Sequence, residues 1–257
     1  MIRALALLLV LLFGAPAAQA GDAQDFAFEQ KAGATVPGDI ALTEADGRQV
    51  RLGDVTGARP AILALGYFHC PSLCSVVRDD LLDALSHTGL EAGADYDLLV
   101  VSIDPTETPE DAANAKADDM DRYPAAGAAR GWHFLCGNAA ATGALAAAVG
   151  FKSRYDVHLK QFLHPAGLVV LTPQRRVSGY VLGVGYHAGD IRTAVTVAST
   201  GGIAKAALPL LLLCFHYDAT TGRYSLAIVK ILRLAGILTI LVIGGTVWLA
   251  ARHGRRA

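Results

Sequence analysis

Ala61-Ile62-Leu63-Ala64-Leu65-Gly66-Tyr67-Phe68-His69-Cys70-Pro71-Ser72-Leu73-Cys74 is the stretch around which the chain is organised. Its first five residues are apolar and follow Arg59-Pro60, which is the length and setting of a buried strand. Beyond the second cysteine, Ser75 to His87 carries Val76, Val77, Leu81, Leu82 and Leu85 at helical spacing. Two cysteines four residues apart therefore stand where a strand turns into a helix. A helix start offers unpaired N–H groups and the positive end of the dipole, which favour thiolate over thiol. Thiolates at i and i+4 can face the same way on one helical turn. That arrangement suits a reversible disulfide or a soft metal ion. Tyr67 and Phe68 are expected to pack the end of the strand.

The ends of the chain set its surroundings. Residues 1–20 read as an export signal: Arg3 is followed by an apolar run from Ala4 to Phe13, too short to span a bilayer, and by the small-x-small site Ala18-Gln19-Ala20. No cysteine follows that site, so lipid attachment there is not indicated. At the other end Leu234 to Ala251 is free of charge, with Lys230 and Arg233 before it and Arg252, Arg255 and Arg256 after it. This length reads as a transmembrane helix, and the short positive tail is expected to stay in the cytoplasm. The expected organisation is a signal peptide at 1–20, a folded domain at 21–200, a linker at 201–230, a transmembrane helix at 231–251 and a cytoplasmic tail at 252–257. In a bacterium this places the chain in the inner membrane with its domain in the periplasm, an oxidising compartment. The formal net charge of −1 gives no electrostatic case for nucleic acid. Four cysteines, Cys70, Cys74, Cys136 and Cys214, are too few for a disulfide scaffold in 257 residues. Cys136 reads as a buried, inert thiol.

Between the ends the pattern is that of an α/β domain. Asp39–Leu42 and Gln49–Leu52 flank an Asp46-Gly47 turn and read as a hairpin. After the central strand and the cysteine-bearing helix, Asp97–Ile103 is a second near-continuous apolar strand, as in a sheet covered on both faces. It runs into Asp104-Pro105-Thr106-Glu107-Thr108-Pro109-Glu110, where Thr108 can cap a helix with Pro109 at its first position, reaching about Arg122. Trp132–Cys136 reads as a strand, Thr142–Val149 as an Ala-rich helix ended by Gly150, and Gly167–Thr172 and Val177–Leu182 as an antiparallel pair. Asp190–Ala198 reads as a last helix. A mixed sheet with helices on both faces follows. With a two-cysteine motif on the first strand-to-helix turn, the layout is thioredoxin-like.

Two thiolates rarely complete a metal site, so a third ligand is sought among eight histidines. His164 precedes Pro165 and the fourth core strand. In thioredoxin-like folds a proline here is usually cis and faces the two-cysteine turn. If Pro165 holds that place, His164 joins Cys70 and Cys74 in a Cys₂His site, which suits copper in either oxidation state. The plain alternative is a loop histidine without metal, and His158 is its nearest rival. His69 should point away along extended backbone, and His133, His87 and His187 read as ordinary polar residues. Asp104 ends a core strand on the edge where ligands collect; it either tunes the thiols or only shapes its own turn. Cys214 and His216 are either a secondary metal pair or surface residues.

The chain resembles the Sco/SenC family of copper-binding, thioredoxin-like assembly proteins. The resemblance rests on Gly66 to Cys74, on Val101-Ser102-Ile103-Asp104-Pro105 with Thr108-Pro109-Glu110, on Trp132-His133-Phe134-Leu135 and on His164, and it spans roughly residues 30–200. It implies Cys70, Cys74 and His164 as ligands of Cu(I) or Cu(II), and a role in assembling the binuclear copper centre (Cu_A) of cytochrome c oxidase. The Cu_A-bearing subunit and other copper chaperones are the implied partners. Many members have Asp two residues after the first cysteine and Pro after the second; here Ser72 and Ser75 stand there. Many are anchored at the N-terminus, whereas this chain is expected to be anchored at its C-terminus.

The leading expectation is a membrane-anchored metallochaperone without substrate turnover. The alternative is a thiol–disulfide oxidoreductase using Cys70 and Cys74 on a partner's cysteines. A peroxiredoxin would carry Thr or Ser three residues before its reactive cysteine; Tyr67 and Pro71 occupy those positions.

Overall fold

The computed structural model describes residues 28–69 and 73–204, together with 217–218, 223–224 and short helical runs between 233 and 252. The elements in chain order are β1 (Ala41–Glu44), β2 (Gln49–Arg51), β3 (Ala61–Gly66), α1 (Leu73–Ser86), β4 (Asp97–Ser102), α2 (Pro109–Arg122), α3 (Ala128–Gly131), β5 (Trp132–Cys136), α4 (Ala139–Ala148), β6 (Arg154–Asp156), β7 (Gln161–Leu163), β8 (Gly167–Leu171), β9 (Val177–Leu182) and α5 (Ala188–Ser199). Two short strands, β10 (Tyr217–Asp218) and β11 (Arg223–Tyr224), pair with each other.

Seven strands form one sheet in the order β2-β1-β5-β4-β3-β8-β9. β3 lies at its heart, parallel to β4 with Leu63 opposite Leu99, and antiparallel to β8 with Leu63 opposite Val169. Strand residues alternate between faces, so β3 feeds two cores. Leu63 and Leu65 join Leu99, Val101 and Val169 beneath Leu145 and Val149 at α4. Ile62 and Ala64 join Leu98, Val100 and Phe134 against Leu81, Leu82 and Leu85 of α1, Ala112 of α2 and Ile191 of α5. That double covering explains why β3, β4 and β8 are apolar along nearly their whole length. Truncating the fully buried Leu63 to Ala would cost about 2–5 kcal/mol.

Several sequence expectations shift. The first hairpin strand starts at Ala41 rather than Asp39. Helix α1 starts at Leu73, which brings Cys74 into its first turn. Helix α4 starts at Ala139, because the Asn138 side chain accepts a hydrogen bond from the Ala141 N–H and caps it. It ends at Ala148 with Val149 as its C-cap, and Gly150 follows with a φ of +67°, where a Cβ would run into the Glu29 carbonyl oxygen. Helix α2 follows the reading closely: Thr108 and Asp111 form a reciprocal cap with Pro109 in the first turn. The hairpin β6–β7 and the short α3 have no counterpart in the sequence reading. No described peptide bond is cis, so Pro165 follows His164 through a trans bond, contrary to expectation.

The export signal at 1–20 lies outside the described residues. Of the expected transmembrane run, residues 233–237, 239–241 and 243–245 are helical, and the remainder lies outside the described residues. Among the described residues no helix is long and apolar enough to cross a membrane.

Candidate metal and thiol site

The site is built where β3 ends. The last bond of its ladder runs from Ile103 N to Gly66 O at 2.7 Å. The chain then leaves the sheet through Tyr67, which is buried, and Phe68, whose ring stacks on Phe134 with centroids 6.0 Å apart. Both aromatics pack the strand end, as expected. Cys70 lies outside the described residues, and Cys74 is placed as a backbone position in the first turn of α1.

His164 comes to this edge from far along the chain. Hairpin β6–β7 delivers it: Tyr155 packs edge-on against Phe162 at 5.1 Å, and Phe162 packs against Tyr67 at 5.8 Å. The His164 ring stands 6.0 Å from Tyr67 and 5.7 Å from Phe151. Its Nδ1 lies 3.1 Å from the Pro165 carbonyl. A carbonyl only accepts, so Nδ1 is the donor in this contact; a neutral ring with that tautomer carries its lone pair on Nε2, the form in which a histidine binds metal. A pocket at the same edge is lined by Tyr67, Phe68, Val77, Arg78, Val100 and His164. His164 and the lead-in to the two-cysteine turn therefore meet at one end of the sheet.

The other described histidines stand elsewhere. His158 is exposed in the β6–β7 turn. His69 is 68% exposed and has Nδ1 3.2 Å from Glu107 and Nε2 3.5 Å from Asp111. His133 lies 2.6 Å from Glu44, and His87 faces the Asp83 carbonyl. His187 stands at the N-cap of α5 without a side-chain cap bond. Asp104 shapes its own turn, accepting from the Thr106 N–H at 2.9 Å and hydroxyl at 2.7 Å. Cys136 is buried and donates to the Thr108 carbonyl; burial above all, then the charges of Glu107 and Asp111, push its thiol up to about 12. It is the inert thiol expected. Cys214 and His216 lie outside the described residues. Among the described residues no three His, Cys, Asp or Glu side chains are arranged to hold a metal.

Two groups near the edge escaped the sequence reading. Glu107, 8% exposed, accepts from the N–H groups of Phe68 and His69 and from the Ser102 hydroxyl. Arg78, one turn beyond Cys74 on α1, lies 2.7 Å from Asp119 of α2. Asp119 is fully buried, and burial lifts its carboxyl to about 6 against the pull of the Arg78 charge. By contrast, hydrogen bonds from the Thr108 N–H and hydroxyl hold Asp111 below the usual carboxylate range.

A parallel β3–α1–β4 unit followed by an antiparallel β8–β9 pair and a closing helix, with two cysteines on the first strand-to-helix turn, defines a thioredoxin-like domain. The family model described as SCO1/SenC matches residues 28–195, and the chain belongs to that family. Solved structures agree on the fold. A candidate electron transfer protein from Aquifex aeolicus VF5 is 27% identical, with a TM-score of 0.58 over 65% of this chain and 94% of that one. A candidate electron transport protein from the same organism is 28% identical, with a TM-score of 0.54 over 65% of this chain and 98% of that one. The copper-bound structure of Arabidopsis thaliana ScoI is 17% identical, with a TM-score of 0.53 over 65% of this chain and 99% of that one. No curated protein matches the chain.

Proposed function

We propose that this protein is a copper metallochaperone whose Cys70 and Cys74 thiolates and His164 Nε2 hold one copper ion as cargo for the Cu_A centre of cytochrome c oxidase. The observation that carries this reading is the position of His164: its ring stands against Tyr67, three residues before Cys70, with Nδ1 turned to the Pro165 carbonyl. Two soft sulfurs and one imidazole suit copper, and three ligands leave room for ligand exchange with a recipient. Membership of the SCO1/SenC family and the copper-bound ScoI of similar fold support the same cargo.

In this reading residues 1–20 are removed on export, 21–200 form the domain, 201–230 lead to the membrane, 231–251 cross it and 252–257 remain in the cytoplasm. The domain then faces the periplasm. Leu234, Ile240, Leu241 and Ile243, all exposed in the helical runs, are the side chains such an anchor turns to lipid.

A second reading, thiol–disulfide exchange through Cys70 and Cys74, is favoured by Arg78. Arg78 lines the pocket one turn beyond Cys74, and a cation near a cysteine favours its thiolate, although this one is shared with Asp119. His164→Ala separates the two. Under the copper reading it abolishes tight copper binding and leaves disulfide exchange with a model dithiol largely intact. Full copper binding by His164→Ala would remove the proposed ligand set.

A further inference from the structure

Strand β3 ends its ladder at Gly66, so the N–H groups of Phe68 and His69 have no strand partner. Glu107 supplies one to each. Its Oε2 accepts from Phe68 N at 2.8 Å and from the Ser102 hydroxyl at 2.6 Å. Its Oε1 accepts from His69 N at 2.7 Å and faces His69 Nδ1 at 3.2 Å. The side chain is 4% exposed, so these bonds are made largely out of water. Ser102 also accepts from Asp104 N at 3.1 Å, which ties the carboxylate to the end of β4. On its other side Phe68 is stacked on Phe134. The chain is thus gripped at successive residues just before Cys70.

We infer that Glu107 is a positioning residue for the two-cysteine turn. By accepting from two successive amides it fixes the direction in which the backbone leaves the sheet, and with it the point from which Cys70 starts. Only a carboxylate presents two charged acceptors to two N–H donors. A glutamine in its place keeps one acceptor and turns an NH₂ group toward an N–H, so one amide loses its partner. An aspartate keeps both acceptors on a shorter stem. The inference rests on the copper reading of Cys70, Cys74 and His164 for its main readout.

The test uses the full chain as wild type, Glu107→Gln, Glu107→Asp and Ser102→Ala. Cu(I) affinity is measured by competition with a chromophoric chelator, and the Cu(II) form is examined by electron paramagnetic resonance. Glu107→Gln is expected to weaken Cu(I) binding about 10-fold, as loss of an outer support does, and to alter the Cu(II) spectrum. Glu107→Asp should recover part of both changes, and Ser102→Ala should shift them less, in the same direction. Wild-type affinity and spectrum in Glu107→Gln would overturn the inference, whatever its melting temperature; if that variant does not fold, unchanged values in Ser102→Ala would do so. Should the wild type itself bind no copper, the copper reading fails and the positioning claim is decided on the thiols. The Cys70–Cys74 disulfide constant against glutathione must then shift about tenfold in Glu107→Gln, and an unchanged constant overturns the claim.

Discussion

Glu107 and Asp119 are both carboxylates almost wholly out of water, and both touch elements that meet at the two-cysteine turn, yet they are held in opposite ways. Glu107 receives two backbone amides and a hydroxyl at 2.6–2.8 Å. Asp119 faces the Arg78 guanidinium at 2.7 Å, but that N–H is not aimed at it and neither oxygen is hydrogen-bonded. Amide donors are fixed by the fold, so Glu107 dictates a backbone path. A guanidinium on a long stem is adjustable, and without directed bonds burial lifts the Asp119 carboxyl to about 6. Near-equal burial therefore yields a rigid clamp in one place and an adjustable joint between α1 and α2 in the other. The donors, rather than the depth, make the difference.

Removing one member of the ion pair has the largest expected effect. Arg78→Met leaves a buried carboxylate without its cation and is expected to cost about 3 kcal/mol in urea unfolding near pH 7.5. The double variant Arg78→Met/Asp119→Leu should recover most of that loss. A double variant no better than the single would mean that the two groups are not coupled. Glu107→Ala comes next: two amides and a hydroxyl lose their acceptor, for about 2 kcal/mol by the same measurement. A cost below that of an ordinary surface substitution would contradict the clamp.

Asp119 also makes stability depend on pH. The native state holds a proton on Asp119 at pH values where the unfolded chain has released it. The stabilisation from this group is therefore largest below the unfolded carboxylate pKa and is lost as pH rises through about 6. Between pH 7 and pH 5 the wild type should gain on the order of 1 kcal/mol relative to Asp119→Asn. A parallel pH dependence of the two proteins would show that Asp119 titrates as an ordinary carboxylate. The smallest effect concerns the cap beside Glu107. The Asp111 N–H reaches the Thr108 hydroxyl only at 3.3 Å, so Thr108→Ala should cost about 0.5 kcal/mol, the low end for a capping residue. Melting curves resolve that, and a loss several times larger would mean that Thr108 supports the Glu107 clamp as well as α2.

The fold was legible where the signal is local and repetitive. The apolar runs of β3, β4 and β8 and the Thr108-Pro109 start of α2 need only neighbouring residues to be read. Hairpin β6–β7 was not, because its strands are three residues long, contain no fully buried residue, and lack an alternating apolar face. Of the candidate site, the cysteine pair is picked out in the sequence by its spacing, and His164 by the proline and strand that follow. Glu107 and Arg78 are not. Glu107 sits in a loop with no periodicity, and its role comes from the parallel pairing that sets the end of β4 beside the end of β3. Arg78 lies on the pocket side of a helix whose apolar spacing continues around it, and its counterion is on another helix. The trans bond before Pro165 shows the limit of reasoning from fold habit: the histidine reaches the sheet edge without the expected isomer.

The most direct measurement is copper stoichiometry with X-ray absorption on the purified, reduced full chain beside its His164→Ala variant. One copper per wild-type chain with two sulfur ligands and one imidazole nitrogen is expected, and no tightly held copper in the variant. Copper bound with the same sulfur and nitrogen set in His164→Ala, or no copper above background in the reduced wild type, would contradict the proposed site.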